Sequence, residues 1–225
     1  MLRQHLDREI QTIRDNLLLL NSMAETALTE SVLALREHDV KKARMVRQND
    51  AQINSLRFDL EGQIIVTIAT QAPVLFDLRF LASSLNVCTE LERIGDYAKT
   101  IARISMMSDE IYIPRFLNSI YDMGIKTSEM LHRAMTAYIH NNSHAAVRII
   151  ADDDIIDAMY ANLYSDLMLY VSAGAHHVQR VNQLLWAAHN LERAADRVTN
   201  ICERVIYNET GELVDIAVSG PRLFN

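Results

Sequence analysis

The sequence predicts an all-α protein of two tandem antiparallel three-helix bundles related by internal duplication. Three observations predict it: apolar residues spaced as on bundle helices, a scarcity of residues that break helices, and one motif that recurs 100 positions later. Only 6 Gly and 3 Pro occur in 225 residues, too few for many tight turns, so the elements should be few and long. At 49% hydrophobic and 23% charged, the chain has the composition of a globular protein with a sizeable core.

In the first helix the apolar positions run Leu6, Ile10, Ile13, Leu17, Leu20, Ala24 and Ala27, alternating steps of four and three as a bundle seam does. Its expected end is near His38-Asp39. A second pattern carries Ala43, Val46, Ile53, Leu56, Leu60 and Ile64 until Pro73 stops it. The third helix is expected over about 75–107, and Ser108, Asp109 and Pro114 mark the middle connection. The plan then repeats: a helix over about 114–140, a polar Asn141-Asn142-Ser143 turn, and a single helix to about Ser172. Gly174 is expected as a left-handed cap, followed by a helix over about 176–208. Six helices in two sets of three result, with a first repeat over 1–108, a second over 109–210 and a loosely attached tail, containing Gly220-Pro221, over 211–225.

A net charge of -7 argues against nucleic acid, whose binding rests on positive charge. Cys88 and Cys202 have no second thiol nearby in sequence and read as reduced, buried residues. The charged start is unlike a signal peptide, and the apolar stretch near Ile64 to Phe76 is interrupted by Thr67, Thr70, Gln71 and Pro73, so a cytoplasmic protein without membrane insertion is expected.

The recurring motif is Glu90-Leu-Glu-Arg-Ile-Gly-Asp96 in the third helix and Asn190-Leu-Glu-Arg-Ala-Ala-Asp196 in the last. Glu92, Arg93 and Asp96 return as Glu192, Arg193 and Asp196, with Ile101 and Ile201 also in register. Residues four apart share a helix face, so Glu92 with Asp96 and Glu192 with Asp196 each set two carboxylates side by side. Such like charges cost about 0.2–0.5 kcal/mol even when exposed, and a positive group should balance them. Asp50, Asn54 and Glu61 share a stripe of the second helix, and Asp153 with Asp157 do so on the fifth. The plain alternative is a solvated face paired with Arg57, Arg93 or Arg193. The histidines His5, His132, His140, His144, His176, His177 and His189 follow no ligand spacing of their own.

With these motifs the sequence resembles the PhoU family along essentially its whole length. Asp77-Leu-Arg79-Phe, Asp50-x-x-Ile-Asn54, Asp153-x-x-x-Asp157 and Thr210-Gly-Glu212 add to the resemblance, while Ala194-Ala195 departs from the family's Ile-Gly and removes the close backbone approach that Gly95 permits. The resemblance implies divalent or iron-type metal ions on the carboxylate motifs, with Glu92 and Asp96 joined by Asp50 or Asn54 in one site and Glu192 and Asp196 joined by Asp153 or Asp157 in the other. It implies a homodimeric adaptor that negatively regulates phosphate uptake and the phosphate-starvation response. Its partners would be the ATPase subunit of a phosphate ABC transporter (PstB-like) and a sensor histidine kinase (PhoR-like). No enzymatic reaction is expected. A di-iron oxidase needs two E-x-x-H motifs, and the sequence has one, Glu129 to His132. A metal-binding bundle or structural scaffold without a phosphate role is the alternative.

Overall fold

The computed structural model describes residues 2–107, 113–174 and 178–213. Among these residues there are seven helices and no strand: α1 (Leu2–Glu37), α2 (Val40–Gln71), α3 (Leu75–Ser105), α4 (Pro114–His140), α5 (Ser143–Ile150), α6 (Asp153–Ser172) and α7 (Val178–Thr210). The expected helix ends hold to within a few residues. Ser108, Asp109, His176, His177 and Gly220-Pro221 lie outside the described residues, as does the expected boundary at 108.

The single fifth helix is corrected to two. The chain breaks at Ala151-Asp152, where the Asp152 N–H turns back to the Ile149 carbonyl at 3.0 Å and α6 starts afresh. Three consecutive aspartates explain the break: Asp competes with the backbone inside a helix but is favoured in a first turn, where Asp153 and Asp154 now face the positive helix end. In the first half the equivalent stretch, Gln48-Asn49-Asp50, stays inside one continuous helix, α2.

The first connection is built alike in both halves. His38 (φ 56) and Asn141 (φ 50) are left-handed, and each precedes a polar cap. Asp39 accepts from the Lys41 and Lys42 N–H groups at 2.9 and 3.0 Å, and Asn142 accepts from the Ala145 N–H at 2.9 Å. Asp39 and Asn142, like Asp50 and Asp153 or Ile53 and Ile156, are 103 positions apart, so the second helices repeat three residues out of step with the third helices.

The two units, α1–α3 and α4–α7, share one core. Their first helices, α1 and α4, pack on each other, as do their third helices, α3 and α7, and α2 and α6 flank this central four-helix layer. Apolar residues from all seven helices join in a single buried cluster. A buried polar knot lies in the same seam. Tyr138 of α4 is fully buried, and its hydroxyl lies 2.8 Å from Ser83 Oγ, 2.9 Å from Ser84 Oγ and 3.2 Å from the Phe80 carbonyl. Ser83 in turn donates to Asn208 Oδ1 of α7 at 2.7 Å, so one network spans both units. Cys88 and Cys202 are buried and free, and burial pushes both thiols up, Cys88 to about 12, which keeps them unreactive.

The α1–α4 contact depends on Gly124. A Cβ there would lie 2.6 and 2.8 Å from the two γ-methyls of Val32, which is fully buried and stiff about its first torsion. Gly124→Ala should therefore lower stability by about 1–3 kcal/mol despite its gain in helix propensity. Urea denaturation of Gly124→Ala, Val32→Ala and the double variant checks this. The double should be less destabilised than the sum of the singles, and strict additivity would refute the contact as the cause.

Candidate functional site: the paired carboxylates

The motif residues that face inward fix where the carboxylates point. Leu91, Ile94, Gly95 and Ala98 of α3 are buried, as are Leu191, Ala194, Ala195 and Val198 of α7, so Glu92, Asp96, Glu192 and Asp196 are left half-buried at the edge of the layer. A Cβ at Gly95 would stand 3.0 Å from Ile53 Cδ1, so the glycine admits α2 close to the motif. This close approach brings Asp50, which is 5% exposed, to the carboxylates of α3.

The balancing charge in the first half is Lys99, a residue the sequence reading missed. Lys99 Nζ donates to Asp50 Oδ2 at 2.6 Å and lies 3.5 Å from Asp96 Oδ1, bridging α2 and α3. Its signal was present: Lys99 is one turn beyond Asp96 on the same face. Asn54 turns its amide nitrogen to Asp50 Oδ2 at 3.2 Å and so also serves as a donor there. Arg57 pairs with Glu61 at 2.9 Å and its charge also reaches Glu92. Burial raises the Glu92 carboxyl above its ordinary range, with Asp96 adding to the effect and Arg57 opposing it. Arg193, expected as a partner of the second pair, instead stacks its guanidinium over the Tyr97 ring at 5.0 Å.

The second half brings Asp153, Asp157, Glu192 and Asp196 near one another without a lysine. At the position of Lys99 stands Thr199, and at that of Arg57 stands Tyr160, 103 positions on. Burial, and then the charges of Asp157, Asp196, Asp154 and Glu192, push the Asp153 carboxyl up to about 7. Asp153 Oδ1 is buried without a hydrogen-bond partner. Asp157 and Glu192 are raised as well, first by burial and then by Asp196. A basic group beside the cluster is His189, whose Nδ1 lies 3.0 Å from Glu192 Oε2, an ion pair when the imidazole is protonated. His189 sits one turn before Glu192, a spacing that could have flagged it.

The family-implied metal fits the halves unequally. In the first half an ammonium already stands among the carboxylates, and Asn54 presents a donor nitrogen, so that set does not fit a cation. In the second half the donors are all oxygen and two of them, Asp153 Oδ1 and Glu192 Oε2, are buried without a hydrogen-bond partner, a chemistry that suits a hard cation. Yet among the described residues no group of three or more His, Cys, Asp or Glu is gathered to hold a metal ion. Glu129 and His132 form no site: Lys126 takes Glu129 at 3.3 Å, and His132 lies 3.3 Å from Glu25.

The raised Asp153 carboxyl gives a pH dependence. The folded chain holds this proton at a pH where the unfolded chain, with an ordinary value of 3.8, has lost it, so stability falls as pH rises between about 4 and 7. In chelator-treated protein, Asp153→Asn should raise the melting temperature at pH 8 and give little or no gain at pH 5. Equal effects at both pH values would show that Asp153 titrates normally.

The two motif halves also match known proteins. The PhoU domain model matches residues 17–105 and 120–205, one match per repeat. The PhoU homolog described as a phosphate-specific transport system accessory protein in Clostridium acetobutylicum is 31% identical over 218 residues, covering 96% of this chain and 99% of that one. The protein of the same description in Escherichia coli is 29% identical over 204 residues, covering 91% and 85%. The crystal structure of the phosphate transport system regulatory protein PhoU from Streptococcus pneumoniae superposes with a TM-score of 0.87 at 29% identity, covering 93% of this chain and 99% of that chain. PhoU from Pseudomonas aeruginosa gives a TM-score of 0.87 at 28% identity, covering 92% and 99%. These relatives are named as accessory and regulatory proteins. With both repeats matched, the whole fold shared and the carboxylate motif present in each half, the chain belongs to the PhoU domain family.

Proposed function

We propose that this chain regulates phosphate transport as a cytoplasmic, homodimeric adaptor. It restrains phosphate uptake and the phosphate-starvation response by contacting the transporter ATPase and a sensor histidine kinase. The observation that carries this reading is the end-to-end match to relatives named as accessory proteins of phosphate-specific transport. An adaptor needs contact surface, and the outer face of α2 offers it: Met45, Phe58, Ile65 and Val66 are each more than half exposed. Among the described residues no helix is long and apolar enough to cross a membrane, which accords with a partner that docks on a transporter from outside the bilayer. One observation favours a second reading, a metal-binding bundle without a phosphate role: the unpartnered Asp153 oxygen in the acidic second half.

Deleting the gene separates the two. In phosphate-replete medium the deletion should raise phosphate uptake and expression of phosphate-scavenging genes, and the intact chain should retain the transporter ATPase in a pull-down. Unchanged expression together with no retention of the ATPase would leave the second reading ahead.

A further inference from the structure

The first half of the chain carries its own cation. Asp50 is nearly inaccessible, and an isolated carboxylate there would be costly, so its charge must be met from within the fold. Lys99 Nζ meets it at 2.6 Å, with Asp96 Oδ1 at 3.5 Å as the second contact, so a single ammonium sits between two oxygens of α2 and α3. The Asn54 amide approaches the same Asp50 oxygen at 3.2 Å as a further donor. A metal ion at this place would meet an ammonium and an amide N–H2 where it needs lone pairs. Arg57, whose charge reaches Glu92 and which pairs with Glu61, adds a second cation to the same face.

The duplication supplies an internal control. Each of these three groups is absent from the second half, where Thr199, Asp157 and Tyr160 stand at the positions of Lys99, Asn54 and Arg57. One half thus has two basic residues and an amide facing its carboxylates, and the other has a hydroxyl, a fourth carboxylate and a phenol. We infer that Lys99 occupies the cation position of the first motif, so that Glu92, Asp96 and Asp50 bind no metal ion in this chain, contrary to what the family resemblance implies for both motifs. Lys99 is then the residue that decides the specificity of the half-site: it exchanges a site open to metal for a permanent ion pair joining α2 to α3.

The test is equilibrium dialysis of the full chain against Mn²⁺ at neutral pH, with bound metal read by elemental analysis and folding by circular dichroism. Glu92→Ala/Asp96→Ala should bind as much Mn²⁺ as the parent. Lys99→Met, which keeps the length of the side chain and removes its charge, should take up about one further equivalent, because it frees the Asp50 and Asp96 oxygens that the ammonium now bridges, and water can complete the oxygen shell. Adding Asp50→Asn should abolish that gain. A loss of bound Mn²⁺ in Glu92→Ala/Asp96→Ala with Lys99 intact would overturn the inference. So would a folded Lys99→Met that binds no more than the parent. If Lys99→Met fails to fold because Asp50 is left unpaired, refolding in the presence of Mn²⁺ replaces it: recovery of the helical spectrum with Mn²⁺ and not with Mg²⁺-free chelator buffer supports the inference, and no recovery overturns it.

Discussion

The packing of α3 against α7 is the constraint on which the rest depends. In each motif the residue just before the first acid and the two just before the second face the shared core, and a helix cannot turn one without turning the others. Burying Leu91, Ile94 and Gly95 in one helix and Leu191, Ala194 and Ala195 in the other therefore sets the rotation of both helices and holds the acids at the rim. The carboxylates are half-buried because of where the core needs its apolar neighbours. Their unusual electrostatics follow from that placement, since partial burial next to like charge raises a carboxyl's proton affinity.

Much of this was legible in the chain itself. The apolar steps from Leu6 to Ala27 reported the buried seam of α1, and all of those residues lie in the core. Pro114 and the Asn141-Asn142 pair marked helix ends because they act through local backbone chemistry, which sequence states directly. The break at Asp152 was missed because the apolar period continues through it, and only the local cost of three aspartates opposes a continuous helix. Lys99 was missed for a different reason. Its main partner, Asp50, is 49 positions away on another helix, and only the close approach over Gly95 brings the two together. The sharing of one core by both halves was hidden for the same reason, since an amphipathic stripe shows that a helix is buried and leaves open against what.

The halves have kept their scaffold and diverged in charge. Their caps, their left-handed connecting residues and their inward motif positions correspond, while the groups facing the acids have changed from basic and amide to neutral and acidic. The duplicated fold tolerates this because the changes lie at the rim, where side chains reach water. The seam between the halves is less tolerant. The hydroxyl of Tyr138 and its partners on α3 and α7 are enclosed, and an arrangement that slid one half by a turn would strand them. That network favours one alignment of the halves over its near neighbours.

The start of α3 is also where α1 and α7 are both held. Asp77 takes Arg3 from the start of α1, and Arg79 lies over Gly211, whose φ of 79 closes α7 and whose missing side chain leaves room for the guanidinium. Asp77 and Arg79, two positions apart in α3, thus hold α1 and α7 on different sides of the same helix. Of the two contacts, the one to Arg3 lies within the first repeat, and the one over Gly211 joins the first repeat to α7. One short stretch of α3 therefore ties the start of α1 and the close of α7 to the same place.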